Sequence, residues 1–141
     1  MVKKYLEDSF ILYIPKDIVA GDFYWMDSVE LENKDSEYIL FAACDCTGHG
    51  VPGAMVSLVS SAHINKALHE LHLSKTGDVL NALNEKIPSA LNGGDSDLND
   101  GFDIALCRLN KDKTSLQFSG AHLNCWVLND KQSIASRISD T

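Results

Sequence analysis

One stretch of sequence decides how this chain folds: Asp45-Cys46-Thr47-Gly48-His49-Gly50-Val51-Pro52-Gly53-Ala54. The apolar run at residues 38–44 precedes it, and a long segment with apolar residues at helical spacing follows it. The glycines let the backbone turn sharply, and Pro52 suits the first turn of a helix. We therefore predict a strand, a tight loop and a helix in that order, with Asp45 at the mouth of the loop.

Local spacing alone leaves several interpretations of this loop open. In one, Asp45 only caps the turn by accepting backbone N–H bonds. In another, residues 48–53 form the G-x-G-x-x-G pattern of dinucleotide-binding proteins, but a carboxylate three residues ahead of the first glycine repels a pyrophosphate unless a metal intervenes. A zinc site made of Cys44, Cys46 and His49 lacks a convincing fourth ligand, and on a strand both cysteines point away from Asp45. A site for metal and phosphate together fits better than a dinucleotide site.

The composition is typical of one ordinary globular domain. The 141 residues are 45% hydrophobic and 23% charged, enough to form a substantial core. The formal net charge of −8 disfavours nucleic acid and anionic membranes as partners, because both attract basic surfaces. We find no pattern of a signal peptide or membrane span. The four cysteines form no paired framework, and we expect them to be reduced thiols of a cytoplasmic protein.

Two strands are predicted ahead of the central stretch. Residues 8–15 are a short apolar run closed by Pro15, which is typical of a strand that ends there. Residues 18–26 are rich in β-branched and aromatic residues and contain a single charge, Asp22. Taken alone, a lone aspartate beside Gly21 is more typical of a strand edge or bulge than of a metal ligand.

Two helices and three strands are predicted after the central stretch. The second helix takes Thr76 as its N-cap and ends or kinks at Pro88. Strands follow at residues 102–109, 114–119 and 123–128. Strands, then helices, then strands again predict an α+β domain, which is a further objection to the dinucleotide interpretation. We expect one inward-facing stripe on the first helix, made of Val51, Met55, Leu58, Ala62, Ile64, Leu68 and Leu71.

Four blocks of sequence stand in a recognisable order and spacing. They are residues 15–25, 45–55, 100–107 and 119–122. Together they resemble the SpoIIE-type branch of the metal-dependent (PPM-type) serine/threonine protein phosphatases, over most of the chain. The resemblance implies an αββα sandwich, with two antiparallel sheets facing each other and helices outside. It also implies a pair of manganese or magnesium ions held by carboxylates at one edge of the sandwich.

The same resemblance implies roles for individual residues. Asp22 matches the first metal-binding aspartate of the family, with Ala20 in place of the first glycine of the usual Gly-Gly-Asp block. Asp45 matches the aspartate that bridges the two metals, and Cys46 matches a position whose backbone carbonyl binds metal. Oxygen donors of this kind suit magnesium and manganese. Asp22 and Asp45 are thus the expected catalytic and metal-binding residues, in a reaction in which a metal-activated water attacks phosphorus.

The resemblance also implies a part of the family domain that these residues do not contain. At its C-terminal side the family domain continues with an Asp-Gly block and a further aspartate. Neither is found in the C-terminal part of this sequence, and the residues around Asp140 match neither of them. We therefore expect residues 8–141 to be a partial, C-terminally truncated domain with an incomplete ligand set, and residues 1–7 to be a linker tail. An unpaired sheet edge then favours a homodimer through that edge.

Two functions from different classes follow from the resemblance. The first is metal-dependent dephosphorylation of phosphoserine or phosphothreonine on a bacterial regulatory protein, such as an anti-sigma-factor antagonist. The alternative is a catalytically inactive phosphatase-like module that acts in protein binding or self-association.

Overall fold

The computed structural model describes residues 2–29, 37–92, 100–129 and 132–138, with the backbone alone at residues 92, 129 and 132–138. None of the described helices combines the length and apolarity needed to cross a membrane. In chain order the elements are α1 (Val2–Tyr5), β1 (Phe23–Val29), β2 (Tyr38–Cys46), α2 (Gly50–His69), α3 (Thr76–Asn92), β3 (Phe102–Asn110), β4 (Leu116–Ala121), β5 (Cys125–Asn129) and β6 (Gln132–Ile138).

The central element is an antiparallel four-stranded sheet in the order β1-β2-β3-β4. Side chains alternate along β2, so that its even-numbered residues face α2 and α3 while Asp45 lies on the opposite face. The antiparallel sheet with helices on one face confirms the predicted α+β class and excludes the parallel βαβ unit that a dinucleotide site requires. The core between sheet and helices contains Trp25, Tyr38, Leu40, Ala42, Cys44, Ile64, Ala67, Leu68, Val79, Leu83, Ile87, Ile104 and Leu106.

The sheet face away from the helices carries a second set of apolar side chains. The N-terminal segment lies across part of this face and lines a half-open cavity of about 290 Å³. Strands β5 and β6 form a separate two-stranded sheet. The residues that line the cavity are Val2, Leu6, Ser9, Phe10, Ile11, Tyr24, Trp25, Met26, Phe41, Ala42 and Ala43.

The prediction of a strand at residues 8–15 was wrong. The structure assigns no strand before Phe23, and the segment is held by side chains instead of a backbone ladder. The Tyr13 hydroxyl donates a hydrogen bond to the Asp22 carbonyl oxygen over 2.9 Å, and the Tyr13 ring meets Tyr24 edge to face. The predicted strand at 18–26 begins only at Phe23, because the residues before it form the loop that packs against the glycines of the central stretch.

The first helix was predicted at the right position. Ile64 and Leu68 of its predicted inward stripe are buried, but the N-terminal part of the stripe is not. Val51, Met55 and Leu58 are 66%, 64% and 72% exposed. The helix is apolar on most of its circumference, so spacing alone admits more than one inward face. Its orientation is set by the close approach of Gly53 to the preceding loop. The side that is buried comprises Gly53, Val56, Ser60, Ile64, Ala67 and Leu68.

The second helix also differs from its prediction at both ends. Thr76 is its first helical residue, and the hydroxyl of Thr76 forms a 2.8 Å hydrogen bond with the Ser119 hydroxyl on β4. Pro88 does not end the helix, since α3 continues to Asn92. The three predicted C-terminal strands are confirmed within two residues at each end, while β6 was not predicted.

Candidate metal centre

Three glycines bring two distant parts of the chain into backbone contact. A Cβ atom on Gly53 would lie 2.7 Å from the Gly48 carbonyl oxygen, closer than real Cβ atoms approach, and 3.2 Å from the Gly21 Cα, which is a tight contact. A Cβ atom on Gly21 would lie 3.1 Å from the same carbonyl oxygen, and Gly48 itself has a φ of +82°, in the left-handed region. We call Gly21, Gly48 and Gly53 the glycine junction. It joins the segment before β1 to the loop after β2.

The glycine junction places Asp22 against Asp45. Their carboxyl groups are near enough to interact, and the Cys46 backbone N–H lies close to the Asp22 carboxylate. Burial raises the pKa of Asp22 above its ordinary value; the negative charge of Asp45 and the interaction between the two carboxyl groups raise it further, while the Cys46 N–H acts in the opposite direction. Two carboxylates that repel each other in this way attract a shared cation.

The direction of each β2 side chain separates the carboxylate from the thiols. Asp45 is exposed on the face away from the helices, whereas Cys44 and Cys46 are buried on the helix face. Burial raises the pKa of both thiols, that of Cys46 to about 12, and so opposes the thiolate form that zinc binds. His49 is 73% exposed and pairs with Asp17 at 3.3 Å. The structure therefore does not assemble Cys44, Cys46 and His49 into a zinc site.

Further acidic residues lie on the segments that adjoin the pair identified from the sequence. Asp103 is paired with Asp45 in the β2–β3 register, so it lies on the same sheet face. At the other side of the loop, the Thr47 hydroxyl accepts a hydrogen bond from the Gly101 N–H over 3.0 Å and lies 3.3 Å from an Asp100 oxygen. Sequence reasoning gave no role to Asp17, Asp100 or Asp103. Each lies in one of the four family-like blocks, and that position was the available signal.

The donor set of this centre fits a hard divalent cation. Asp22 and Asp45 supply carboxylate oxygens, which are the ligands that magnesium and manganese prefer. Within the ranges that the structure describes, no three or more His, Cys, Asp or Glu side chains are arranged to hold a metal. The expected role of the Cys46 carbonyl stays a prediction, and Asp140 lies outside the described residues.

Comparison with known proteins points to one family. The family described as Stage II sporulation protein E (SpoIIE) matches residues 35–140. Among solved structures, the chain is similar to the SiaA-PP2C domain of Pseudomonas aeruginosa, with a TM-score of 0.65 and 30% sequence identity over 83% of this chain. The match spans 44% of that structure's chain. No curated protein sequence matches significantly.

Proposed function

This chain belongs to the SpoIIE family of PPM-type phosphatases, and on that basis we propose that it serves metal-dependent dephosphorylation of phosphoserine or phosphothreonine on a regulatory protein. The observation that carries the proposal is the contact between Asp22 and Asp45 at the glycine junction. Asp22 and Asp45 are 23 positions apart in sequence. They come together at the glycine junction because glycine has no side chain that would keep the two backbone segments apart.

Asp22 and Asp45 come from different segments of the chain and would bind the same metal ion. Asp22 and Asp45 would hold a manganese or magnesium ion, and the Cys46 N–H lies close to the Asp22 carboxylate and favours its charged form. When bound, such a metal supplies activation of a water for in-line attack on phosphorus and neutralises charge on the phosphoryl oxygens. Asp22 immediately precedes β1 and Asp45 lies near the end of β2. Both residues are exposed, so a phosphorylated side chain on another protein can reach them.

The proposed partner is a phosphorylated regulatory protein, such as an anti-sigma-factor antagonist. This class of substrate is what the sequence resemblance implies, and the proposal takes it from that resemblance. The net charge of −8 makes a nucleic acid an unfavourable ligand for the same surface.

The test is manganese-dependent hydrolysis of a phosphoserine peptide by the 141-residue chain. We expect turnover in the wild type, loss to background in Asp45→Asn, and wild-type turnover in Glu85→Gln, which removes one exposed negative charge on α3 far along the sequence from the centre. Melting curves with and without manganese give an independent readout. Saturation at about 100 times the Kd adds roughly 2.7 kcal/mol to the free energy of unfolding. Equal turnover in Asp45→Asn would contradict the proposal.

The second candidate is a catalytically inactive module that binds a phosphoprotein or a second copy of itself. It is favoured by the finding that the described residues bring no third acidic, histidine or cysteine ligand to the aspartate pair. In the described sheet, β1 and β4 are the edge strands at which a homodimer would pair. This candidate predicts no turnover and no manganese-dependent rise in melting temperature, together with dimers in sedimentation velocity.

A further inference from the structure

The cysteines of this protein lie on opposite faces of the four-stranded sheet. All four are free thiols. Cys44 and Cys46 are buried on the helix face. Cys107 pairs with Phe41 in the β2–β3 register and therefore points to the other face, where β5 begins with Cys125. The metal centre uses neither Cys107 nor Cys125.

Cys107 and Cys125 meet across two different sheets. A parallel bridge joins Ile104 to His122, so the two chain segments run side by side, and Cys107 and Cys125 each follow three residues later. The two thiols are near enough that Cys125 influences the pKa of Cys107. The chain between them makes a confined reversal, because a Cβ atom on Gly120 would clash with the Leu123 carbonyl oxygen and His122 has a φ of +62°. Both features hold the start of β5 back over β3. Cys107 is 6% exposed, whereas Cys125 is only half-buried, so a small solute reaches Cys125 first.

We propose that Cys107 and Cys125 are a redox-modification site, at which a peroxide converts the two thiols to a disulfide that joins β3 to β5. In the first step the Cys125 sulfur attacks hydrogen peroxide, the O–O bond breaks, and a sulfenic acid and one water form. In the second step the Cys107 sulfur attacks the sulfenic sulfur, and the S–O bond breaks as the S–S bond forms. The hydroxyl leaves with the Cys107 proton as a second water. Both sulfurs are oxidised and both peroxide oxygens are reduced.

The environment of Cys107 assigns the order of these steps. Burial raises the pKa of the Cys107 thiol to about 12, and the neighbouring Cys125 raises it as well. At neutral pH Cys107 is therefore protonated and a poor first nucleophile toward peroxide. Its contact with Cys125 makes it the resolving thiol, since it needs no diffusion to reach the sulfenic sulfur.

The experiment treats the full chain with hydrogen peroxide and follows the four thiols by intact mass and peptide mapping. We expect the loss of two hydrogens, a Cys107–Cys125 linked peptide, and modification of this pair at least about tenfold faster than of Cys44 and Cys46. Because the disulfide closes a loop and constrains the unfolded chain, the oxidised protein should melt on the order of 5 °C higher, and dithiothreitol should reverse the change.

Two controls test whether the disulfide depends on Cys125 and on the native fold. Cys125→Ser changes a half-buried position and should give no linked peptide and no peroxide-dependent rise in melting temperature. The same oxidation in guanidinium measures how much Cys107–Cys125 disulfide forms in the unfolded chain. The yield of this disulfide from the native protein should be several-fold higher. The inference is overturned by conversion of Cys125 to sulfinic acid without a link, by four unreacted thiols, or by equal native and denatured yields.

Discussion

Gly53→Ala isolates the contribution of the glycine junction to the candidate metal centre. The new Cβ atom would sit 2.7 Å from the Gly48 carbonyl oxygen and 3.0 Å from the Gly48 carbonyl carbon. Ordinary contact needs about 3.4 Å or more, so the loop must move by roughly 0.7 Å against the oxygen. The overlapping atoms belong to the backbone, and no flexible side chain can yield in their place. The displaced loop carries the chain between Asp45 and α2.

The energetic balance for this variant has two opposing terms. Overpacking costs about 1–3 kcal/mol, while replacing a helical glycine by alanine recovers up to about 1 kcal/mol. We expect a net loss of about 1–2 kcal/mol in the free energy of unfolding, or roughly 4–8 °C in melting temperature. We also expect the affinity for manganese to fall by about 10–100-fold, because the supports of the ligands move.

Gly77→Ala is the matched control for this measurement. Gly77 also lies in the first turn of a helix, but its nearest neighbour beyond the helix is the Ser119 hydroxyl oxygen at 3.7 Å, an ordinary contact. That variant should be as stable as the wild type or more stable by up to about 1 kcal/mol, with unchanged manganese binding. Thermal melts with a manganese titration decide the matter. If Gly53→Ala behaves like Gly77→Ala, the glycine junction does not hold the metal centre in place.

Three further predictions concern stability. Thr76→Val and Ser119→Ala should be non-additive by about 1 kcal/mol in urea unfolding, since the two hydroxyls form one 2.8 Å hydrogen bond; additivity would contradict it. Leu40→Ala should lower the free energy of unfolding by about 2–5 kcal/mol, because Leu40 is 0% exposed in the core, and a smaller loss would mean that the core collapses around the cavity. Hydrogen bonds from the Thr114 hydroxyl and N–H lower the pKa of Asp112 below its ordinary value, so its contribution to stability is present above that value and is lost as the pH falls through the lowered pKa of the folded state. Wild type should therefore lose more stability than Asp112→Asn on acidification, and parallel pH profiles would count against this.

The order and type of the secondary-structure elements around the candidate metal centre could be predicted from the sequence. The apolar run, glycine loop and helical segment at residues 38–69 are local patterns, and the structure confirms each of them as β2, the loop and α2. Asp22 and Asp45 were identified through family-like blocks, because blocks of this kind record a site without any knowledge of distance. Whether they bind metal stays a prediction.

Local patterns in the sequence specify where side chains alternate with a period of two or 3.6 residues and where glycine permits a turn. The buried side of α2 depends on packing instead, because the helix is apolar nearly all round and the contact of Gly53 with Gly48 sets its rotation. Tertiary structure also decided that residues 8–15 are not a strand, since a strand exists only with a partner to bond. The contacts Asp22–Asp45 and Cys107–Cys125 belong to the same class, because they join residues that only the folded backbone brings together.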